Sequence, residues 1–185
     1  MFPSEGFIVI GSMQQEVMMK ATSREMTRKD LPQVLAISRE NMSAIIFSSW
    51  GVEYRDEDLF HILLEPTAHN EVLEREGRVV AYFSIDDRNG NLFINSIQVQ
   101  KACQGRGLGR MMMARIEEHA RLRDSPAIEL LVQYTNRTAM EFYRRMGYRL
   151  ICRQGNNYLM RRTLDPNRGP RFVELSGSDK PLNMQ

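Results

Sequence analysis

The chain has 185 residues, of which 42% are hydrophobic and 26% charged, and its formal net charge is +2 at pH 7. This is ordinary globular composition, which excludes collagen-like, coiled-coil and wholly disordered chains. A net charge so close to zero gives no reason to expect a nucleic-acid or membrane-surface partner. No apolar run approaches the roughly 18–20 residues that span a bilayer. The two cysteines predict neither a disulfide framework nor a zinc site, and free thiols favour a reducing cytoplasm.

One domain is predicted between two less regular ends. Residues 1–17 show no clear structural pattern and are interpreted as an N-terminal tail or upstream extension. Residues 165–185 contain three prolines and two glycines and are predicted to form a weakly ordered C-terminal tail. Residues 18–164 carry an alternating pattern of strands and helices and are predicted to form the domain.

The first part of this domain is predicted to hold one strand and two helices. The strand covers 18–24, and a helix begins after Thr27, because Asp30 three residues later completes a capping box. Apolar residues then recur at helical spacing until a break at 48–51. The second helix covers Asp56–Leu64 and has its apolar residues on one side.

A strand-rich middle follows, and the pattern then changes from hairpins to a crossover. Three antiparallel strands are predicted over 70–75, 78–85 and 92–99, with Asn-Gly as the clearest turn signal. A helix over 108–123 leads to an apolar strand over 128–132, so the strands before and after this helix should run parallel. The remaining predicted elements are a helix over 137–146 and a hairpin with strands over 148–153 and 158–163. The predicted fold class is α/β, with a mixed, mainly antiparallel twisted sheet, flanking helices and one βαβ unit.

A glycine-rich loop lies between the strand at 92–99 and the helix that follows it. A helix start presents unpaired backbone N–H groups and a partial positive charge, and glycines let a phosphate approach that backbone closely. Two arginines add positive charge, so the loop is predicted to hold a pyrophosphate; its residues are Gln104, Gly105, Arg106, Gly107, Leu108, Gly109 and Arg110. A Walker A loop fits worse, because Lys-Ser/Thr does not follow the last glycine. A plain strand-to-helix turn and a dinucleotide-binding module are the alternatives.

Two sequence patterns together resemble the Gcn5-related N-acetyltransferase (GNAT) superfamily, which transfers acetyl from acetyl-coenzyme A to an amine. The first pattern is the Gln-x-x-Gly-x-Gly loop that begins at Gln104. The second is Asn-x-x-Ala-x-x-Phe-Tyr-x-x-x-Gly-Tyr, which begins at Asn136 and ends at Tyr148. Both patterns occur in the family's order, and the predicted strands and helices from about residue 18 to residue 164 match as well.

The resemblance implies how acetyl-coenzyme A is held. In the family, the fourth and fifth strands splay apart, and the pantetheine arm of the cosubstrate pairs with the exposed backbone of the fourth strand. Here that backbone belongs to Ile97, Gln98 and Val99, and an N–H group in this stretch would polarise the thioester oxygen. The glycine-rich loop would bind the pyrophosphate, and Asn136 would help to hold the arm.

The resemblance also implies a general acid. Tyr143 occupies the position of the family tyrosine that donates a proton to the departing thiolate, a transfer that phenol and thiol pKa values permit. The glutamate that often serves as base on the fourth strand is replaced by Asn95, which cannot accept a proton at neutral pH. The acceptor would then be an amine of low pKa, or a carboxylate elsewhere would act through water. The candidate carboxylates are Glu53, Asp56, Glu57 and Glu129.

Three residues near the end of the first helix are candidates for binding the acceptor. Trp50, Glu53 and Tyr54 lie where relatives build the acceptor pocket, and an aromatic floor with an acidic rim would suit a cationic amine. The same residues also fit a simpler interpretation, as a packed helix end beside an acidic helix N-terminus.

The sequence therefore predicts a cytoplasmic N-acetyltransferase that moves acetyl from acetyl-coenzyme A to a primary amine by direct attack. The acceptor would be a small molecule or a peptide, with no nucleic-acid partner, no membrane partner and no metal. Dimers are common in the family, so a homodimer is an expected assembly. The alternative function is a non-catalytic acyl-coenzyme A sensor, which the asparagine at position 95 favours.

Overall fold

The computed structural model describes residues 21–164, so the predicted tails at 1–17 and 165–185 lie outside the described residues. The helices are α1 (Leu31–Trp50), α2 (Asp56–Leu64), α3 (Leu108–Leu122) and α4 (Arg137–Arg145). The strands are β1 (Thr22–Glu25), β2 (His69–Arg75), β3 (Arg78–Arg88), β4 (Asn91–Val99), β5 (Ala127–Gln133), β6 (Arg149–Gln154) and β7 (Asn157–Thr163). No helix within residues 21–164 is both long and apolar enough to cross a membrane.

All seven strands of the described residues belong to one mixed sheet, which confirms the predicted fold class. Their order is β1-β2-β3-β4-β5-β7-β6, and every neighbouring pair is antiparallel except β4 and β5. Strands β4 and β5 run parallel because α3 carries the chain from the end of one back to the start of the other. This is the βαβ unit that the sequence predicted.

Two apolar cores, one on each face of the sheet, hold the helices in place. Met112 and Ile116 of α3 pack in the first core with Phe83 of β3. Val34 of α1 packs in the second core with Tyr82, the neighbour of Phe83. Successive side chains of a strand point to opposite faces, so α1 and α2 cover one side of the sheet and α3 covers the other.

The first helix extends over the break that the sequence predicted at 48–51. It continues to Trp50 and ends at Gly51, whose left-handed backbone (φ 70°) lets its N–H group close the last turn of the helix. Ser49 stays helical, and its hydroxyl forms a hydrogen bond with Thr135 in the loop between β5 and α4. A tertiary bond therefore holds a segment whose local composition favours a turn.

The predicted capping box at the start of α1 is present. Thr27 N–H donates to Asp30 Oδ2 at 2.7 Å, and the guanidinium of Arg24 donates to both carboxylate oxygens of Asp30 at 2.8 Å. Asp30 is buried, and its bonds to Arg24 and Thr27 hold the pKa of this carboxyl well below its usual range. The carboxylate thus ties β1 to the beginning of α1.

Candidate functional site

Strands β4 and β5 pair at one end and separate at the other. Their parallel register covers 92–94 of β4 and 128–130 of β5, and the pairing stops beyond these residues. The pairing of β4 with β3 changes register between Ser84 and Ile85 of β3. Asn95 of β4 has no partner there and is the extra residue of a β-bulge. A bulge bends its strand and increases the local twist, which accounts for the departure of β4 from β5 at this position.

Beyond the bulge, the backbone of β4 offers hydrogen-bonding groups to the gap. Gln100 N–H donates to Val80 O of β3 at 2.9 Å. Alternate residues of an antiparallel strand bond to the same neighbour, so Gln98 faces β3 with its backbone. By the same alternation, the backbone groups of Ile97 and Val99 face the gap.

The carbonyl of Val99 already accepts hydrogen bonds from within the protein. Its donors are Asn41 Nδ2 at 2.9 Å and Gln104 Nε2 at 3.0 Å. Asn41 Nδ2 also donates to Gln98 Oε1 at 3.0 Å, so this side chain joins α1, the open end of β4 and the first residue of the glycine-rich loop. Asn41 was not predicted from the sequence, because it belongs to no motif and its partners are at least 57 residues away.

A cavity of about 260 Å³ occupies the gap between the two strands. Its floor is formed by 94–98 of β4 and 130–133 of β5, and Asn136 and Tyr143 stand on its wall. The opposite wall is formed by α1, α2 and the segment between them, and its residues include Met42, Ile46, Tyr54, Asp58 and Ile62. The cavity therefore joins the open backbone of β4 to the side chain that was predicted to act as an acid.

Tyr143 projects from α4 onto this wall. It is 8% exposed, and its ring packs against Phe142 and Tyr148 with centroid separations of 5.4 and 5.7 Å. Burial raises the pKa of the Tyr143 hydroxyl well above its ordinary value. Like an ordinary phenol, the hydroxyl is protonated at neutral pH, and the raised pKa makes it a weaker acid.

Asn136 has a structural role as well as a place on the cavity wall. Its Oδ1 accepts the backbone N–H of Ala139 at 3.1 Å and so caps the N-terminus of α4. This bond fixes the orientation of the side chain and leaves the Nδ2 end of the amide as the donor for a ligand.

The glycine-rich loop runs from the open end of β4 into α3. Gly105 (φ 74°) and Gly107 (φ 86°) adopt left-handed backbone conformations, and Gly107 caps α3. A Cβ atom on Gly109 would lie 3.3 Å from Phe142 Cζ, so α3 and α4 approach each other closely here. The Leu108 side chain is buried in the core, which leaves only its backbone for a ligand.

The charge around this loop is positive. Residues 100–116 contain no aspartate or glutamate. Arg106 is partly buried and Arg110 is exposed. Arg110 also lines a groove together with Arg137 and Arg145 of α4, and in this groove Arg145 forms an ion pair with Glu141 at 2.9 Å. An anion at the start of α3 would thus meet backbone N–H groups and arginine side chains together.

The candidate general bases do not line the cavity. Glu129 is buried in β5 and forms an ion pair with Arg161 at 2.5 Å. Asp56 at the start of α2 forms an ion pair with Arg39. The other two candidates, Glu53 and Glu57, are exposed on the surface.

Asn95 lines the cavity at the position where the family often has a glutamate. Its Oδ1 accepts a hydrogen bond from Arg88 at 2.5 Å, so the amide oxygen is already engaged. The carboxylate that does stand on the wall is Asp58, an exposed residue in the first turn of α2.

The three predicted acceptor-binding residues separate into two groups. Tyr54 lines the cavity, and burial raises the pKa of its hydroxyl. Trp50 is 46% exposed, Glu53 is exposed, and neither lies on the cavity wall. The structure thus brings Tyr54 to the gap between β4 and β5 and leaves its two sequence neighbours at the surface.

Comparisons with known proteins agree on one family. A model of the acetyltransferase (GNAT) family matches residues 32–148. An uncharacterized N-acetyltransferase of Methanocaldococcus jannaschii is 31% identical over 134 residues, which cover 68% of this chain and 76% of that protein. A Bacillus subtilis protein named as a putative ribosomal protein bS18-alanine N-acetyltransferase is 26% identical over 129 residues, covering 69% of this chain and 80% of that protein.

Solved structures share the fold at low sequence identity. The PaiA N-acetyltransferase of Thermoplasma acidophilum, solved in complex with coenzyme A, superposes with a TM-score of 0.68 at 12% identity. That match covers 78% of this chain and 99% of the other. The ribosomal-protein-S18-alanine N-acetyltransferase of Escherichia coli gives a TM-score of 0.62 at 17% identity, over 82% of this chain and 98% of the other.

Proposed function

Because this chain belongs to the GNAT acetyltransferase family, we propose that it transfers acetyl from acetyl-coenzyme A directly to a primary amine. The amine nitrogen attacks the thioester carbon, the new C–N bond forms and the C–S bond breaks. Coenzyme A leaves as a thiolate that takes up a proton, and the attacking nitrogen gives up a proton. No acyl-enzyme is needed, so neither cysteine takes part.

The observation that carries this proposal is the gap between β4 and β5. Ile97 lies on its floor and Tyr143 on its wall, and β4 continues from this floor through Val99 towards the glycine-rich loop. The N–H groups of β4 would pair with the pantetheine arm and polarise the thioester oxygen. The loop would hold the pyrophosphate, and Asn136 Nδ2 would donate to the arm.

Tyr143 is proposed as the general acid. Its hydroxyl keeps its proton at neutral pH, as an ordinary phenol does. Burial raises its pKa further, which makes it a weaker acid, so the proton transfer depends on the thiolate being close and basic. A thiolate that leaves in a site shielded from water is a stronger base than it is in water, which makes proton transfer from the phenol easier.

The acceptor is proposed to be an α-amine. Asn95 stands where relatives often have the base, so the amine is proposed to arrive unprotonated, with Asp58 as the carboxylate on the cavity wall. At pH 7 this costs roughly 4.6 kcal/mol for a lysine side chain but only about 1 kcal/mol for an α-amine. The Bacillus subtilis relative, named for an alanine of a ribosomal protein, supports a peptide acceptor. We place the reaction in the cytoplasm, where free thiols persist.

A matched pair of peptides tests this function. One peptide has a free α-amine and no lysine, and the other has a blocked N-terminus and one internal lysine. With acetyl-coenzyme A at pH 7, the first should be acetylated at least about tenfold faster by mass spectrometry. The ratio should narrow as the pH rises, because the lysine amine then loses its proton too. Equal rates at pH 7 would contradict the α-amine preference.

Asn95 also favours one other function, that of an acyl-coenzyme A sensor. A sensor would bind acetyl-coenzyme A, seen as a raised Tm, but would acetylate neither the peptides nor a panel of small amines. If acetyl-coenzyme A left Tm unchanged and no amine were acetylated, both functions would be wrong.

A further inference from the structure

A second polar cluster lies on the α3 side of the sheet, away from the cavity. It consists of His69 and Glu71 on β2 and His119 on α3, and none of the three lines the gap between β4 and β5. The two histidines are 50 residues apart in sequence, so no motif spacing points to them. The ligating atoms of the three residues all lie within 4.8 Å of one another.

Both imidazoles point at the same carboxylate oxygen. His119 Nε2 lies 2.5 Å from Glu71 Oε1, and His69 Nε2 lies 3.1 Å from that atom. The ring centroids of the two histidines are 4.4 Å apart. Two imidazole nitrogens therefore converge on one carboxylate oxygen, which also accepts a hydrogen bond from Arg115 Nη2 at 3.1 Å.

The other oxygen of Glu71 accepts from Ser23, and Arg115 bonds to both carboxylate oxygens. Ser23 Oγ donates to Oε2 at 2.5 Å, and Arg115 Nε donates to Oε2 at 3.3 Å. Glu71 is 3% exposed, so these bonds fix the direction of a buried carboxylate. Outer partners that orient a ligand in this way are a regular feature of metal sites.

We propose that His69, Glu71 and His119 bind a zinc ion. Two imidazole nitrogens with one carboxylate oxygen form a known zinc ligand set, completed by water in tetrahedral geometry. At zinc–ligand distances of about 2.0–2.2 Å, neighbouring ligand atoms lie roughly 3.3 Å apart. The observed 3.1 Å needs little change, and the shorter separation to His119 needs a small rotation of its side chain.

The surroundings give the ion access and a structural role. The side chains of His69 and His119 are 24% and 16% exposed, which leaves a path from solvent and room for the water ligand. Arg115 Nη2 lies 3.1 Å from Oε1, the oxygen that would bind the ion, and Arg115 Nε lies 3.3 Å from Oε2. Zinc binding would require the guanidinium to move off Oε1 and keep its bond to Oε2, and its positive charge limits the affinity. The ion would cross-link β2 to α3 and would take no part in acetyl transfer.

Thermal unfolding of the full chain, freed of metal by a chelator, tests the site. Zinc at roughly a hundredfold excess over its dissociation constant should raise Tm by about 5–10 °C. The shift should be lost in His69→Ala and in His119→Ala. The matched control is His61→Ala, because His61 is the third histidine of the chain and is exposed on α2. A Cys152→Ser background removes the exposed thiol from all variants.

Cobalt provides a second readout that does not depend on stability. Co²⁺ bound at this site should give the strong visible bands of a four-coordinate ion without a thiolate charge-transfer band, and His61→Ala should keep them. If either cluster variant fails to fold, the other variant and the cobalt spectrum decide. A wild-type chain that shows neither a zinc-dependent Tm nor these bands would overturn the proposal, as would retention of both in the two cluster variants. Acetylation should be the same with and without chelator, so this result is independent of the proposed function.

Discussion

Strand β4 has two edges that differ in almost every respect. Toward β3, it keeps an antiparallel register from Asn91 to Val99, interrupted only at the bulge. Toward β5, it keeps a parallel register only from Leu92 to Ile94. One edge is thus closed by the sheet, and the other leaves backbone groups facing a cavity of about 260 Å³.

The difference teaches how one strand can serve both stability and binding. The β3 edge supplies the hydrogen bonds that hold the strand in the sheet, whereas the bulge at Asn95 bends the strand away from β5. An open edge inside a sheet needs a partner for its backbone groups. In this chain, the side chains of Asn41 and Gln104 partly fill that need at Val99.

A pair of proline substitutions would break one edge at a time and should give the largest effect. Gln98→Pro removes an N–H from the β3 edge and should lower the free energy of unfolding by about 3 kcal/mol or more. Ile97→Pro removes an N–H from the gap instead. It should lower stability by clearly less and raise the KM for acetyl-coenzyme A about tenfold, which denaturant unfolding and steady-state kinetics measure. Equal losses of stability would mean that the two edges do not differ.

Tyr143→Phe removes only a hydroxyl from the wall of the cavity and should lower kcat by about a hundredfold. The affinity for coenzyme A should stay nearly the same, because the phenyl ring still packs against Phe142 and Tyr148. Turnover with the best acceptor and calorimetric binding of coenzyme A separate these quantities. Tyr148→Phe is the matched control, since that hydroxyl is buried behind Tyr143 and does not line the cavity. An unchanged kcat in Tyr143→Phe would show that another group supplies the proton.

Asp30→Asn tests the contact between β1 and the beginning of α1, which lies outside the cavity between β4 and β5. The native pKa of Asp30 lies below that of the unfolded chain, so its stabilisation is present above about pH 4 and is lost as the pH falls below that value. At pH 7, the free energy of unfolding of the variant should therefore be about 2 kcal/mol lower than that of the wild type. The difference from wild type should shrink in acid, as urea titrations at several pH values would show. The kcat at pH 7 should not change, and a difference in stability that grows in acid would contradict this assignment.

The sequence predicted the parts of the fold that local signals control. The bounds of α2, Asp56–Leu64, match the structure, because an acidic first turn and a one-sided apolar pattern lie within the segment itself. The parallel pairing of β4 with β5 follows from a crossover helix, and the Asn-Gly turn fixes the hairpin before it. The end of α1 was missed because Ser48 and Ser49 have the composition of a turn, whereas Ser49 is helical and bonds to Thr135, 86 positions away.

The residues of the candidate site and of the His–Glu cluster likewise fall into those that local motifs predict and those that only the fold brings together. The loop at 104–110 and the residues Asn136 and Tyr143 belong to motifs, so the sequence marked them as members of one site. Asn41 and the cluster around Glu71 were missed, because their partners meet only when α1 and α3 pack on opposite faces of the sheet. The prediction that Trp50 and Tyr54 act together depended on nearness in sequence, which does not decide which side chain faces a cavity.

Gly107→Ala should give the smallest effect and tests whether the glycine-rich loop after β4 is the anion site. Gly107 has a φ of 86°, and an alanine forced into that left-handed conformation costs about 1 kcal/mol of stability. The new methyl group would also stand beside the N–H groups that start α3, so the KM for acetyl-coenzyme A should rise about tenfold with kcat nearly unchanged. Gly77→Ala is the control, because Gly77 has a similar φ of 75° and lies in the turn between β2 and β3, outside the glycine-rich loop. It should lose the same stability and keep the wild-type KM; if both variants raised KM alike, the loop would not be the anion site.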